Sequence, residues 1–234
     1  MAGIDANTLL YAQMLGANNG TTFGDSSTYA RGNGTANGNA KTSTARELLS
    51  GDGSSGLFDG SGDYVKWNGA SWMNIGTGAF TIDFDIYPTA WSGSWNYMMN
   101  DNNTSTGFSM RYRAGFGLET HIAATYNPFT WVAGTGAKVH VALVREGTGA
   151  GQLKAYIDGT AIGVAGTSSD NISACDSFTI GCNPALDGLI GNMAHFRFSN
   201  IARWTTNFTP PTSPYTLDVK VPLFMNSYRR RRSS

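Results

Sequence analysis

Two carboxylates spaced two residues apart on a strand leave the same face, and Asp83 and Asp85 occupy the cleanest such strand of this chain, Phe80-Thr81-Ile82-Asp83-Phe84-Asp85-Ile86-Tyr87. The spacing sets their backbones roughly 7 Å apart, and two acids at a suitable separation can serve as general acid and nucleophile in glycoside cleavage. The same two residues also read as the plain polar face of an outer strand. Only three glutamates occur, Glu47, Glu119 and Glu146, and they are isolated from one another. A second constellation is aromatic: Trp91, Trp95, Tyr97, Tyr112, Tyr126 and Trp131 crowd the middle of the chain, and Arg111 and Arg113 share a strand face with Ser109. Rings of this kind stack on sugar faces while guanidinium groups bond hydroxyls, so Trp91, Trp95, Tyr97, Arg111, Arg113 and Trp131 form the candidate ligand-binding set. Aromatics at this density also build ordinary cores or protein contacts.

Metal chemistry has a thinner basis. The loops around Asp59 and Asp63, and around Asp101 with Asn102 and Asn103, carry the hard oxygen donors that suit Ca²⁺. Asp59, Asp63 and Asp101 are therefore the candidate calcium ligands, although Asp and Asn are also the usual turn residues. His121, His140 and His195 lack metal-ligand spacing, and no Gly-x-Ser-x-Gly or Cys/His pairing offers a nucleophile. His140, set between Val139 and Val141, reads as a hydrogen-bonded sheet histidine.

These residues must be carried by strands. Val139-His140-Val141-Ala142-Leu143-Val144-Arg145, a Gly-rich break and Leu153-Lys154-Ala155-Tyr156-Ile157 predict two paired strands, and Asp158-Gly159 turns the chain into a third. Further strands are expected over 8–15, 64–67, 80–87 (ending at Pro88), 97–100, 107–113, 117–124, 178–182 and 191–198. In the last of these, Met193 and His195 should alternate against Ala194, Phe196 and Phe198. A brief helical turn is expected near residues 45–49. Residues 207–214, with three prolines, cannot pair as a central strand and should run along the surface. About a dozen short strands with frequent turns mean an all-β, two-sheet antiparallel jelly-roll sandwich. The domain is expected over residues 1–215, followed by a C-terminal extension over 216–234 with a basic Arg tail.

Composition narrows the function classes. Charged residues make up 14% of 234, against about 25% in an average soluble protein. Sixteen basic residues balance sixteen acidic ones, but four of the basic ones are Arg229, Arg230, Arg231 and Arg232, so the body of the chain is acidic. That argues against nucleic-acid binding by the domain and reserves nucleic acid, or an acidic partner, for the Arg229–Arg232 tail. Cys175 and Cys182 flank an extended run too long to bridge within itself, so two buried free thiols are expected, in keeping with folding in a reducing cytoplasm. Residues 1–7 show no basic region followed by an apolar run, so no signal peptide is expected.

Six segments, in order, carry a family resemblance: Leu57-Phe58-Asp59-Gly60-Ser61-Gly62-Asp63-Tyr64-Val65, Phe80 to Phe84, His140 to Arg145, Ala155-Tyr156-Ile157-Asp158-Gly159, Phe196 to Trp204, and Asn207-Phe208-Thr209-Pro210-Pro211. Together they resemble the concanavalin A-like, laminin-G-like jelly-roll family, and in particular copies found in bacteriophage structural proteins. The resemblance implies two curved sheets with a face that binds glycans in many relatives, and it implies no catalysis by itself. Two departures stand out. Ala194 and His195 occupy positions where many relatives carry acids, which puts the family's calcium site in doubt, and Asp85 stands where relatives commonly place Trp. The resulting expectation is a non-enzymatic phage virion protein, made in the host cytoplasm and displayed on the capsid or tail for decoration or host-glycan attachment. Its expected partners are other virion proteins, host-surface polysaccharide and further copies of itself on the particle. The alternatives are a carbohydrate-binding lectin without a structural role and a glycan hydrolase using Asp83 and Asp85.

Overall fold

Period-two apolar patterning closes the chain into two antiparallel layers in a computed structural model that describes residues 3–92, 95–101, 107–123, 125–173, 175–182 and 187–218. In the first layer β14 (Thr160–Gly166), β13 (Leu153–Ile157), β12 (Val139–Arg145), β7 (Phe80–Ala90) and β16 (Asp187–Ser199) lie side by side. The long β16 takes β5 (Ser55–Ser61) along its first half and β1 (Thr8–Ala12) along its second, and β4 (Lys41–Ser43) pairs outside β5. The second layer runs β2 (Thr22–Gly24), β3 (Asn33–Asn37), β6 (Tyr64–Asn68), β15 (Ser177–Ile180), β8 (Trp95–Asn100), β9 (Phe108–Arg113), β10 (Gly117–Ile122) and β11 (Thr125–Phe129). Among the described residues a parallel bridge from Gly188 to Tyr97 and an antiparallel one from Gly188 to Cys182 link the layers.

The core lies between them. Phe80, Ile82, Phe84 and Ile86 of β7 meet Phe108, Met110 and Leu118 of the second layer in one buried cluster. Phe80 sits edge-on to Phe108 at 5.1 Å, and Phe178 of β15 lies 5.3 Å from Phe196 of β16. Burying such rings between sheets supplies the main folding drive of a chain this poor in charge.

The expected β12–β13–β14 meander is present, with Val141 opposite Ile157 and Ala155 opposite Ile162. Asp158 and Gly159 both adopt positive φ, 49° and 76°, in the tight turn between β13 and β14. Gly159 is needed twice over, because a Cβ there would lie 1.8 Å from the Phe208 carbonyl oxygen. Both cysteines are buried thiols with no disulfide between them, as expected.

Three local expectations are corrected. β7 runs through Pro88 to Ala90, because pairing with β12 ends at Ile86, before the missing N–H would be needed, and the Gly136 amide donates to the Pro88 carbonyl instead. A register shift opposite Gly191 absorbs the rest of the irregularity. In β16 the alternation breaks between Ala194 and Arg197, where His195 takes φ 57°, so Met193, Phe196 and Phe198 all enter the core. This bulge shifts the parity that simple alternation assigns. Residues 45–49 form turns and bends, and the described helical turn is a 3₁₀ segment at Ser71–Met73. The Arg229–Arg232 tail, Asn102 and Asn103 lie outside the described residues.

Candidate functional site

Each layer has an outer face, and the candidate residues divide between them. On the first layer, Asp83 and Asp85 do leave one face of β7 together, yet both are fully buried. The Arg197 guanidinium donates to both carboxylate oxygens of Asp83, at 2.9 and 3.2 Å, and Tyr215 adds its hydroxyl at 2.6 Å. Lys138 Nζ donates to Asp85 Oδ1 at 3.1 Å, with His140 Nδ1 at 3.2 Å. Burial pushes the Tyr215 hydroxyl well above the usual phenol range, and the Asp83 charge adds to it.

Residues 200–218 cover this face. The Trp204 and Phe208 rings stack at 3.9 Å, and Phe208 packs edge-on to Tyr156. Backbone bonds fix the strap: Thr81 Oγ1 donates to the Ile201 carbonyl, the Arg203 amide donates back to Thr81 Oγ1, and the Phe208 amide donates to the Gly159 carbonyl. At the far end Ile4 and Leu217 form a parallel bridge. The pair that spacing marks for acid–base work is thus a buried ion-pair network under the C-terminal strap, out of reach of a sugar.

The second layer carries the other constellation. The short Ala114-Gly115-Phe116 turn sets Arg111 directly opposite Glu119, with Tyr97 of β8 on the other side of Arg111. Arg111 Nε donates to Glu119 Oε2 at 2.7 Å and its Nη1 to the Tyr97 hydroxyl at 2.7 Å. Tyr126 donates its hydroxyl to Glu119 Oε1 at 2.6 Å. Glu119 is completely buried and both its oxygens are engaged. Burial, helped by Glu119, pushes the Tyr126 hydroxyl up to about 12, so it remains a neutral donor. Burial and then the Arg111 charge hold the neighbouring His121 below the usual histidine range.

Arg113 stands opposite Trp95 with its guanidinium 3.7 Å from the Phe116 ring centre. Arg111 covers the Trp95 ring at 4.6 Å. Phe116 and Tyr126 present 54% and 42% of their surfaces to solvent, and Trp95 is partly exposed. Two polar atoms here, Trp95 Nε1 and His121 Nε2, have no hydrogen-bond partner among the described residues. Aromatic faces beside charge-assisted donors form a surface able to stack a pyranose ring and bond its hydroxyls.

Of the six candidate residues, Trp95, Tyr97, Arg111 and Arg113 therefore meet on this face. Trp91 and Trp131 do not join them: they pack with Tyr112 at 4.4 and 5.3 Å against the core, and Trp91 Nε1 donates to the Gly134 carbonyl. The candidate set left out Glu119, His121 and Phe116, and also Tyr126, although that ring belongs to the aromatic constellation. The tight turn at 114–116 was the available signal, since it sets the register that pairs Arg111 with Glu119.

The candidate calcium ligands do not converge. Asp63 accepts the Asn39 and Asp59 amides, and Asp59 accepts the Ser61 amide and the Asn39 side chain, which holds the Asp59 carboxyl below the usual range. These are turn devices in a hairpin. Asp101 is buried and accepts the Cys175 thiol at 2.9 Å, and burial with this neighbour pushes the thiol pKa up. Among the described residues no group of three or more His, Cys, Asp or Glu is placed to hold a metal.

A two-layer antiparallel sandwich of this topology defines a jelly-roll class. Residues 59–206 match the family model of the concanavalin A-like lectin/glucanases superfamily, and the chain belongs to that family. No curated protein matches the sequence. Among solved structures the chain is similar to domain 4 of a GH43 extracellular arabinanase from Geobacillus stearothermophilus, in complex with arabinotriose: TM-score 0.64 at 16% identity, over 84% of this chain and 93% of that one. It is also similar to Trypanosoma rangeli sialidase in complex with 2,3-difluorosialic acid, at TM-score 0.58 and 16% identity over 86% of this chain, which corresponds to 32% of the sialidase. At such identities these likenesses are of fold.

Proposed function

We propose that this protein is a non-enzymatic glycan-binding module displayed on a phage virion, and that it holds host-surface polysaccharide on the outer face of the second layer. The observation that carries the reading is the cluster of Trp95, Tyr97, Arg111 and Glu119, with exposed Phe116 and Tyr126 beside it. Exposed rings beside a preorganised charged pair are costly on a surface with no ligand to meet. The arabinotriose-bound neighbour supports glycan binding by a domain of this fold. The non-catalytic part rests on Asp83 and Asp85, whose carboxylates are buried and neutralised. The virion setting rests on the resemblance to phage copies, and further copies of the chain on the particle would multiply a weak single-site affinity.

Titration calorimetry of the purified protein against host envelope polysaccharides tests the reading. Binding without release of reducing sugar is the expected result. Protein that binds no polysaccharide but rebinds stripped virions would replace it with a decoration role. Sugar release that survives in both Asp83→Asn and Asp85→Asn would point to catalysis elsewhere.

A further inference from the structure

Resting on that glycan-binding reading, we infer that the site selects acidic sugars, with Arg113 receiving the carboxylate of a uronate or sialate unit. The four strands that build the site, β8 to β11, contain one carboxylate and two arginines. Glu119 is consumed: Arg111 neutralises it at 2.7 Å and Tyr126 occupies its other oxygen. Arg113 is left over. Its side chain is 37% exposed, its nearest acid is Glu119 at 4.0 Å, and its guanidinium donates no hydrogen bond among the described residues.

A guanidinium whose donors lack acceptors, held over a ring, is a preorganised fork for a planar anion. Phe116 supplies the ring on one side at 3.7 Å and Trp95 a second at 5.8 Å, which restricts the side chain before any ligand arrives. The rest of the molecule makes this local charge unusual, since the body of the chain outside the Arg tail is acidic. An anionic glycan would be repelled by that body and drawn to this patch, so the charge pattern gives orientation as well as affinity. The geometry also limits length. Gly117, next to Phe116, and His121, opposite Tyr126, are four residues apart on β10, so the backbone positions that carry the two exposed rings lie about 13 Å apart along the strand. That distance suits a short oligosaccharide with its acid at the Phe116 end.

The test uses the full chain and matched pairs of oligosaccharides in which the neutral sugar and its 6-carboxylate differ only at C6, together with lactose against sialyllactose. The acidic member is expected to bind about tenfold or more tightly, the worth of one charge-assisted hydrogen-bonded contact. Added salt should weaken only that member. Arg113→Gln should bring the two members of each pair to equal affinity while the melting temperature stays unchanged, and Arg113→Lys should restore only part of the preference because the planar fork is gone. Equal binding of both members by the wild type, or a preference that survives Arg113→Gln, overturns the inference and leaves the glycan-binding reading standing. A sulfated analogue preferred over its carboxylated partner also overturns it. No binding of any pair ends both.

Discussion

The two outer faces of this sandwich begin from the same device and end in opposite conditions. On β7 two acids alternate with core residues, and on β9 two arginines do. On the first layer the two acids of β7 each meet a counterpart: Arg197 grips Asp83, Lys138 and His140 hold Asp85, and the strap of residues 200–218 packs over this face. On the second layer one arginine is satisfied and the other is not, and the rings around them face solvent. A covered charge must be paired to be tolerated at all, and pairing removes it from chemistry. An uncovered one can hold only a loose ion pair, as Arg113 does with Glu119 at 4.0 Å, and keep exposed donors for a ligand. The comparison teaches that cover, rather than residue type, separates structural charge from functional charge here.

The sharpest way to break the contrast is to unpair the covered face. Arg197→Met would leave Asp83 buried without its cation, and denaturant unfolding should show a loss of about 3–5 kcal/mol. Arg113→Gln, its counterpart on the open face, should shift stability by less than about 0.5 kcal/mol. If the two substitutions cost the same, the distinction between the faces fails.

A gentler probe is Tyr215→Phe, which removes only the hydroxyl that bonds Asp83 at 2.6 Å. It should cost about 1–3 kcal/mol, and it should leave glycan binding intact because the strap lies on the other layer. Phe116→Ala addresses the open face instead. Calorimetry should show sugar affinity falling between about two- and tenfold, with an unchanged unfolding curve.

The smallest effect concerns protons. Burial, and then Arg111, lowers the folded-state pKa of His121 below its ordinary value of 6.5. The folded protein therefore binds fewer protons than the unfolded chain in that window. The stability tied to neutral His121 is fully present above pH 6.5 and declines as pH falls through the lowered folded value. Melting temperatures taken between neutral and mildly acid pH should fall less steeply in His121→Gln than in the wild type. An identical slope would show that His121 is not the titrating group.

Much of the scaffold was legible from local pattern. The β12–β13–β14 meander follows from two apolar runs and a Gly-rich break, and the Asp158-Gly159 turn from residues that tolerate positive φ. Strand ends were less legible, because Pro88 is tolerated only through the early end of its neighbour, which is a property of pairing and not of the residue. The His195 bulge was invisible for a similar reason: it is stabilised by Tyr11 at 2.7 Å and Asp52 at 2.9 Å, both far away in sequence. At the site, Trp95, Tyr97, Arg111 and Arg113 could be chosen by type and parity. Trp91 and Trp131 have the same type, but they fill the edge of the core.

By itself, the sequence determined the two-layer β architecture, the turns of the β12–β13–β14 meander and the faces of regularly alternating strands such as β7, since period-two patterning and turn chemistry act over a few residues. Only the tertiary structure decided which face would be covered. The strap that seals Asp83 and Asp85 arrives from more than a hundred residues downstream, and Glu119 becomes the partner of Arg111 through cross-strand register. Burial and pairing set what a charge can do, and both are fixed by contacts between distant segments.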